Sequence, residues 1–213
     1  MFHPKGVAMN DLEFAALLVS RVCHDLVSPV GAVVNGLEVL EDETDAAMRA
    51  DALRLVASSA EQAAARLQFA RIAFGAAGSA GAELDLAEVG RIMDGLMKGG
   101  KVELVWQAEV ANWPKDWAKL LMNVVISATD CLPRGGRVVV STSGDMQAPS
   151  FRVIATGPVT RLSPDSQHAL QGEPSGALDG RSIQPYLTYQ LAKSLNAGLT
   201  AVPGEGEVQF TAG

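Results

Sequence analysis

The 213-residue chain carries 17 basic and 24 acidic side chains, a formal charge of −7, and 48% of its residues are apolar. That apolar content supports one large domain or two small ones and argues against bulk disorder. The acidic balance, with no basic run, argues against a nucleic-acid surface, which needs clustered cations, and two cysteines with three scattered histidines (His3, His24, His168) make neither a disulfide framework nor a structural zinc site.

No unbroken run approaches the ~18 apolar residues of a membrane helix. Asp11 and Glu13 stand before the short apolar run Ala15 to Val19, so a basic signal-peptide region is missing. A cytoplasmic protein without membrane or nucleic-acid partners is expected.

The two halves of the chain differ in grammar. Only Pro4 and Pro29 of the ten prolines precede residue 100, and all three tryptophans follow it. Between the halves, GAAGSAGA at 75–82 has the composition of a flexible linker. The expected division is a helical domain over 1–75, a linker over 76–82 and a second domain over 83–213.

Residues 10–41 place Leu12, Ala15, Leu18, Val19, Val22, Leu26, Val30, Val33, Leu37 and Leu40 at alternating spacings of three and four. This is an amphipathic helix. The polar EDETD at 41–45 makes a turn in which Thr44 or Asp45 can cap the next helix. The pattern resumes over 46–74 with Ala52, Val56, Ser59, Ala63, Leu67, Ala70 and Phe74, and Gly75 stands at a helix end. Two long helices joined by a short turn form an antiparallel hairpin. A lone hairpin leaves apolar surface uncovered. Pairing of two copies into a four-helix bundle covers it; packing against the second half of the same chain is the competing solution.

The second half alternates. Residues 83–98 read as a helix, 101–107 as a strand with Val102, Leu104 and Trp106 on one face, and Pro114 to about Cys131 as a helix. PRGG at 133–136 turns the chain into a strand over 137–143, and 150–156 is another. A loop rich in Gly, Pro and Ser spans 157–180, a helix follows over 181–196, and two short strands close the chain over 198–210. This order predicts an α+β chain whose second half is a two-layer sandwich, with helices on one face of a mixed sheet.

His24 interrupts the logic of the first helix. At about 100° per residue, the apolar stripe centres roughly opposite it. Its helical neighbours Ser20, Arg21, Val27 and Ser28 are mostly small or polar, leaving the imidazole approachable. Five residues on, Pro29 removes a helical hydrogen bond at a cost of ~3 kcal/mol or more. Such a breach of local consistency marks a functional site.

The run His24-Asp25-Leu26-Val27-Ser28-Pro29-Val30 resembles the H-box of sensor histidine kinases, written H-E-L-R-T-P-L. The second half resembles their Bergerat-type ATP-binding domain with damaged motifs. Ser127 stands where the second N-box asparagine, the Mg²⁺ ligand, follows Asn123. Ala155-Thr156-Gly157-Pro158-Val159 lacks the acid and the last glycine of the adenine-reading motif, and Gly176 and Gly180 are what remains of the glycine-rich motif. A methyl group accepts no hydrogen bond from adenine, and a serine lacks the reach of an asparagine toward octahedral Mg²⁺.

A kinase-like chain that keeps the histidine and loses the nucleotide site is similar to the histidine phosphotransferases. That resemblance implies a homodimer in which His24 accepts a phosphoryl group from the receiver domain of a hybrid histidine kinase. It passes the group to CtrA-like response regulators of a bacterial cell-cycle phosphorelay. Asp25 assists the imidazole. Leu17, Ser20, Arg21, Val27, Ser28, Gly31, Ala32, Asn35 and Glu38 form the docking surface. Arg21 meets phosphate or the receiver, or instead pairs with Glu13 or Asp25. No cofactor is expected on this chain, and the Mg²⁺ comes with the receiver. An ATP-dependent kinase and a receiver-binding scaffold are the rival readings.

Overall fold

The computed structural model describes residues 10–75, 82–109 and 111–213. Two helices, α1 (Asp11–Asp42) and α2 (Ala46–Ala73), form the antiparallel hairpin. Asn10 and Glu13 close a reciprocal capping box on α1, and Asp45 caps α2 by accepting from the amides of Ala47 and Met48. The helix continues through Pro29. The helices approach closely at Gly36, where a Cβ would stand 2.6 Å from Val56 Cγ2 and 3.3 Å from the Ala52 carbonyl.

The residues of α1 buried by the hairpin are Pro29 and Gly36, whereas Leu12, Val19, Val30 and Leu37 remain exposed. The expected single stripe is thus divided between a face against α2 and an uncovered apolar face. By length and composition alone, α1 is also long and apolar enough to cross a membrane. Polar residues, Arg21, His24 and Asp25 among them, nevertheless interrupt every continuous apolar run, as the sequence reading has it.

The second unit begins with β1 (Glu83–Asp85), α3 (Leu86–Met97), β2 (Val102–Gln107), β3 (Asn112–Pro114) and α4 (Lys115–Asp130). It continues with β4 (Gly136–Ser143), β5 (Ser150–Thr156), α5 (Pro164–Leu170), α6 (Ile183–Ser194), β6 (Thr200–Pro203) and β7 (Glu207–Ala212). Five strands form one sheet in the order β2-β4-β5-β7-β6, with β2 and β4 parallel and the other neighbours antiparallel. Alternate residues of β4, β5 and β7 are buried, among them Val138, Val140, Val153, Ala155, Val208 and Phe210. They form the core together with α4, which is buried through most of its middle. This is the expected two-layer sandwich.

Three local expectations are corrected. Residues 83–85 are a strand, not the start of a helix: β1 pairs with β3, and Asp85 caps α3 by accepting from the Ala87 amide at 2.8 Å. Strands of three residues carry no readable period. Pro114 is the residue before α4 rather than its first helical residue. The expected loop over 157–180 contains α5, capped by Ser163 and opened by Pro164. The linker expectation falls on 76–81, outside the described residues.

Candidate functional site

His24 projects from α1 with 86% of its side chain exposed. Its Nδ1 lies 3.3 Å from Asp25 Oδ1. A carboxylate only accepts, so Nδ1 is the donor in this bond, and in the neutral ring that leaves the lone pair on Nε2, directed away from Asp25. The other oxygen, Oδ2, accepts from Arg21 Nε at 3.0 Å. Of the partners that the sequence allowed Arg21, the structure shows Asp25, one turn away.

Arg21 also reaches the second unit: its Nη1 donates to the Gly180 carbonyl at 2.9 Å. The His24-Asp25 pair is thereby tied to the segment that precedes α6. That segment is shaped by Asp179, whose Oδ1 accepts from the Arg181 and Ser182 amides and the Ser182 hydroxyl. These donors hold its carboxyl below the usual carboxylate range.

Around His24, the expected docking residues Ser20, Val27, Ser28, Asn35 and Glu38 are exposed, and Leu17, Gly31 and Ala32 are half-buried. No side chain stands near Gly31: a Cβ built there meets nothing within 4 Å. The surface beside His24 is therefore low.

Beneath it, a cavity of about 290 Å³ separates the hairpin from the second unit. Arg21, Asp25, Arg66, Asp130 and Gln184 supply its polar lining, and Leu26, Phe69 and Ile126 much of its apolar wall. Asp130 is exposed as a residue, and the partial loss of solvent around its carboxyl on the cavity side raises it above its ordinary range, with Arg21 opposing and the Asp25 charge adding to the rise. Arg66 Nη1 donates to the main-chain carbonyl of Asp25.

Of the residues that the sequence compares with nucleotide motifs, Asn123, Ser127, Ala155 and Gly157 are engaged in packing, whereas nothing stands within 4 Å of a Cβ at Gly176 or Gly180. Asn123 is fully buried, and its Nδ2 donates to the Ala73 carbonyl at 3.3 Å and to the Lys119 carbonyl at 2.9 Å. Lys119, also buried, donates to the Gly75 carbonyl at 2.7 Å and pairs with Asp116 at 3.3 Å. A helix end leaves its last carbonyls unsatisfied; here two side chains of α4 meet that of Ala73, the last residue of α2, and that of Gly75 just past its cap. Ser127 Oγ donates to the Asn123 carbonyl at 3.0 Å within its own helix. Ala155 lies in the core between Val138 and Val208 of the neighbouring strands. Gly157 closes against the PRGG turn, where a Cβ would come within 2.5 Å of the Gly135 carbonyl. Among the described residues, no group of three His, Cys, Asp or Glu side chains could hold a metal ion.

Residues 86–207 match the family described as the histidine phosphotransferase C-terminal domain. The chain belongs to the histidine phosphotransferase family. It is 38% identical over 207 residues to the protein phosphotransferase ChpT of Brucella abortus (strain 2308), covering 97% of this chain and 98% of that protein. A solved bacterial phosphotransferase structure is similar with a TM-score of 0.86 and 36% identity, covering 97% of this chain and 98% of that one.

In this histidine phosphotransferase, four site residues escaped the sequence reading: Arg66, Lys119, Asp130 and Gln184. Lys119 and Asn123 carried a faint signal, being polar residues one turn apart on a helix that is otherwise mostly apolar. Arg66 and Asp130 carried none, since the carbonyl that Arg66 meets and the cavity that Asp130 lines are built from residues distant in the chain.

Proposed function

We propose that His24 carries a phosphoryl group between aspartates of receiver domains. The reading rests chiefly on the exposed imidazole with Nδ1 facing Asp25. Nε2 of the neutral ring attacks the phosphorus of a docked receiver's aspartyl phosphate in line. An N–P bond forms as the O–P bond breaks, and the receiver's carboxylate leaves with the bonding pair. The proton stays on Nδ1, and Asp25 faces the positive charge that develops on the ring. Transfer to a second receiver reverses the step. Such transfers proceed through a loose transition state, so positioning dominates. The receiver brings the Mg²⁺.

The donor is the receiver of a hybrid histidine kinase and the acceptors are CtrA-like response regulators, in a cytoplasmic, cell-cycle-type phosphorelay. The buried roles of Asn123, Ser127 and Ala155 support transfer without ATP. The exposed face of Leu12, Val19, Val30 and Leu37, with sevenfold steps between 12 and 19 and between 30 and 37, supports a homodimer built as a four-helix bundle.

Incubation of the purified protein with labelled ATP, and separately with a phosphorylated receiver, tests the transfer. Acid-labile label at residue 24 from the receiver alone is expected, and none in His24→Ala. Label from ATP alone would mean a kinase; no label would leave a scaffold. Light scattering tests the dimer: twice the chain mass is expected, falling to one chain mass in Val30→Glu/Leu37→Glu.

A further inference from the structure

We propose that Arg21 is a positioning residue for the transfer, a strut anchored on the second unit that holds the Asp25 carboxylate toward His24. The proposal rests on the reading of His24 as carrier. The sequence places Arg21 on the docking surface, yet its side chain is only 19% exposed and two of its donors are committed. Nε donates to Asp25 Oδ2 at 3.0 Å, and Nη1 donates to the Gly180 carbonyl at 2.9 Å. An ion pair one turn apart on a helix is a common and weakly held contact. The bond to Gly180, 159 positions away in the chain, makes this pair different, because it fixes the guanidinium from a second direction.

Planarity turns the two contacts into a constraint. Nε and Nη1 lie in one rigid plane, so an acceptor on each sets where that plane stands. The plane in turn holds Oδ2 of Asp25. A carboxylate is also planar, and with Oδ2 held, Oδ1 stays 3.3 Å from His24 Nδ1. Released from Arg21, the partly exposed carboxylate is free to turn into water. The hydrogen bond made at one imidazole nitrogen sets the state of the other. Once Nδ1 loses its acceptor, the proton can reside on Nε2, and that tautomer has no lone pair at Nε2 for attack on phosphorus.

The anchor is itself a built feature. Asp179 Oδ1 accepts from the Arg181 amide at 2.9 Å and from the Ser182 amide and hydroxyl at 2.8 Å each, shaping the turn that carries the Gly180 carbonyl. Two turns before Arg21 on the same face of α1, Phe14 meets Tyr186 of α6 edge-on, with ring centroids 6.2 Å apart. The hairpin is thus seated on the α6 region at two levels, and the second unit acts on the carrier through a main-chain oxygen.

The test uses the full-length protein labelled with ¹⁵N-histidine, near neutral pH. It compares Arg21→Met, Asp25→Ala and their double variant with the parent, and adds Asp179→Ala as a change made in the second unit. Ring ¹⁵N shifts of residue 24 report the tautomer. Single-turnover transfer from a phosphorylated receiver reports the limiting rate and the half-saturating receiver concentration. In the parent, the Nδ1-protonated form dominates. Arg21→Met mixes the tautomers and lowers the limiting rate about tenfold, with half-saturation within about twofold. In the Asp25→Ala background the same replacement changes the limiting rate by less than about twofold, because the residue through which it acts is gone. Asp179→Ala moves both readouts in the same direction, with a loss of about threefold in rate. A loss confined to half-saturation would mean that Arg21 touches the receiver, and a full tenfold loss in the Asp25→Ala background would mean that it touches the phosphoryl group. Either result overturns the proposal, as does an unchanged tautomer in Arg21→Met. An unchanged rate in Asp179→Ala overturns the part assigned to the second unit. Should Arg21→Met not fold, Arg21→Lys, which keeps the charge without the planar fork, runs the same cycle with the same expectations. If the parent accepts no phosphoryl group at all, the carrier reading falls, while the ring shifts still decide whether Arg21 sets the tautomer.

Discussion

The guanidinium of Arg66 donates to the main-chain oxygen of Asp25 across the hairpin. In an uninterrupted helix that oxygen accepts from the amide four residues on, and here residue 29 is a proline without an N–H. A side chain of α2 therefore supplies the hydrogen bond that the sequence of α1 removes, at the residue next to His24. Replacing Arg66 by Met leaves this half-buried oxygen without that donor and is expected to destabilise the protein by about 1–3 kcal/mol. In a Pro29→Ala background the amide returns, and the same replacement should cost less than about 1 kcal/mol. Urea denaturation of the four proteins in the cycle measures the coupling, and additive costs would refute it.

The clamp of α4 on the end of α2 makes a second prediction. Asn123→Ala removes the donor to the Ala73 carbonyl in a fully buried setting. A loss of about 1–3 kcal/mol is expected. Amide exchange should quicken in the last turn of α2, at Phe69 to Ala73, more than in α1. Uniform acceleration throughout the hairpin would mean that the clamp is not local.

Two glycines of α1 should respond oppositely to one methyl group. At Gly36 the Cβ has no room against Val56, so Gly36→Ala forces the hairpin apart at about 1–3 kcal/mol. At Gly31 the space is open, so Gly31→Ala should raise stability by up to about 1 kcal/mol through helix propensity. Gly31 lies two turns from His24 on the same face, and the added methyl is expected to raise the half-saturating receiver concentration. Thermal denaturation and transfer kinetics on both variants check the contrast.

The turn before α6 should depend on acid. The carboxyl of Asp179 is held below its ordinary value by the donors it accepts from. A depressed folded value means that the stabilising contribution is present above the ordinary value of 3.8 and is lost as pH falls through the lower, folded value. Exchange protection of the Arg181 and Ser182 amides, corrected for intrinsic rates, should hold from neutral pH down to about 5 and decline below about 4. Asp179→Ala should remove it at neutral pH, and unchanged protection in that variant would show that the turn holds itself.

Much of the fold was legible because it follows from short-range periodicity. The spacing of Leu12 through Leu40 determines α1, Asp45 the start of α2, and the alternation of buried residues in 150–156 the strand β5. The three-residue strands β1 and β3 were not legible, since so short a segment has no period and is stabilised by its partner. Helix α5 was hidden by its loop-like composition, although Ser163 and Pro164 were a usable start signal.

At the site, residues 24 to 30 alone singled out the histidine, its acidic neighbour and the proline, because these chemical types sit side by side in the chain. The imidazole's solvent-facing position also followed from helical geometry. The tertiary structure alone decided where Arg21 divides its donors, that Arg66 repairs the carbonyl left by Pro29, and that Asn123 holds the end of α2. It decided as well that Asp130 and Gln184 line the same cavity as Asp25 and Arg66. The reason is physical: periodicity and capping act over three or four residues. A cation meeting a carbonyl 41 or 159 positions away has no local pattern and exists only once the two units are packed together.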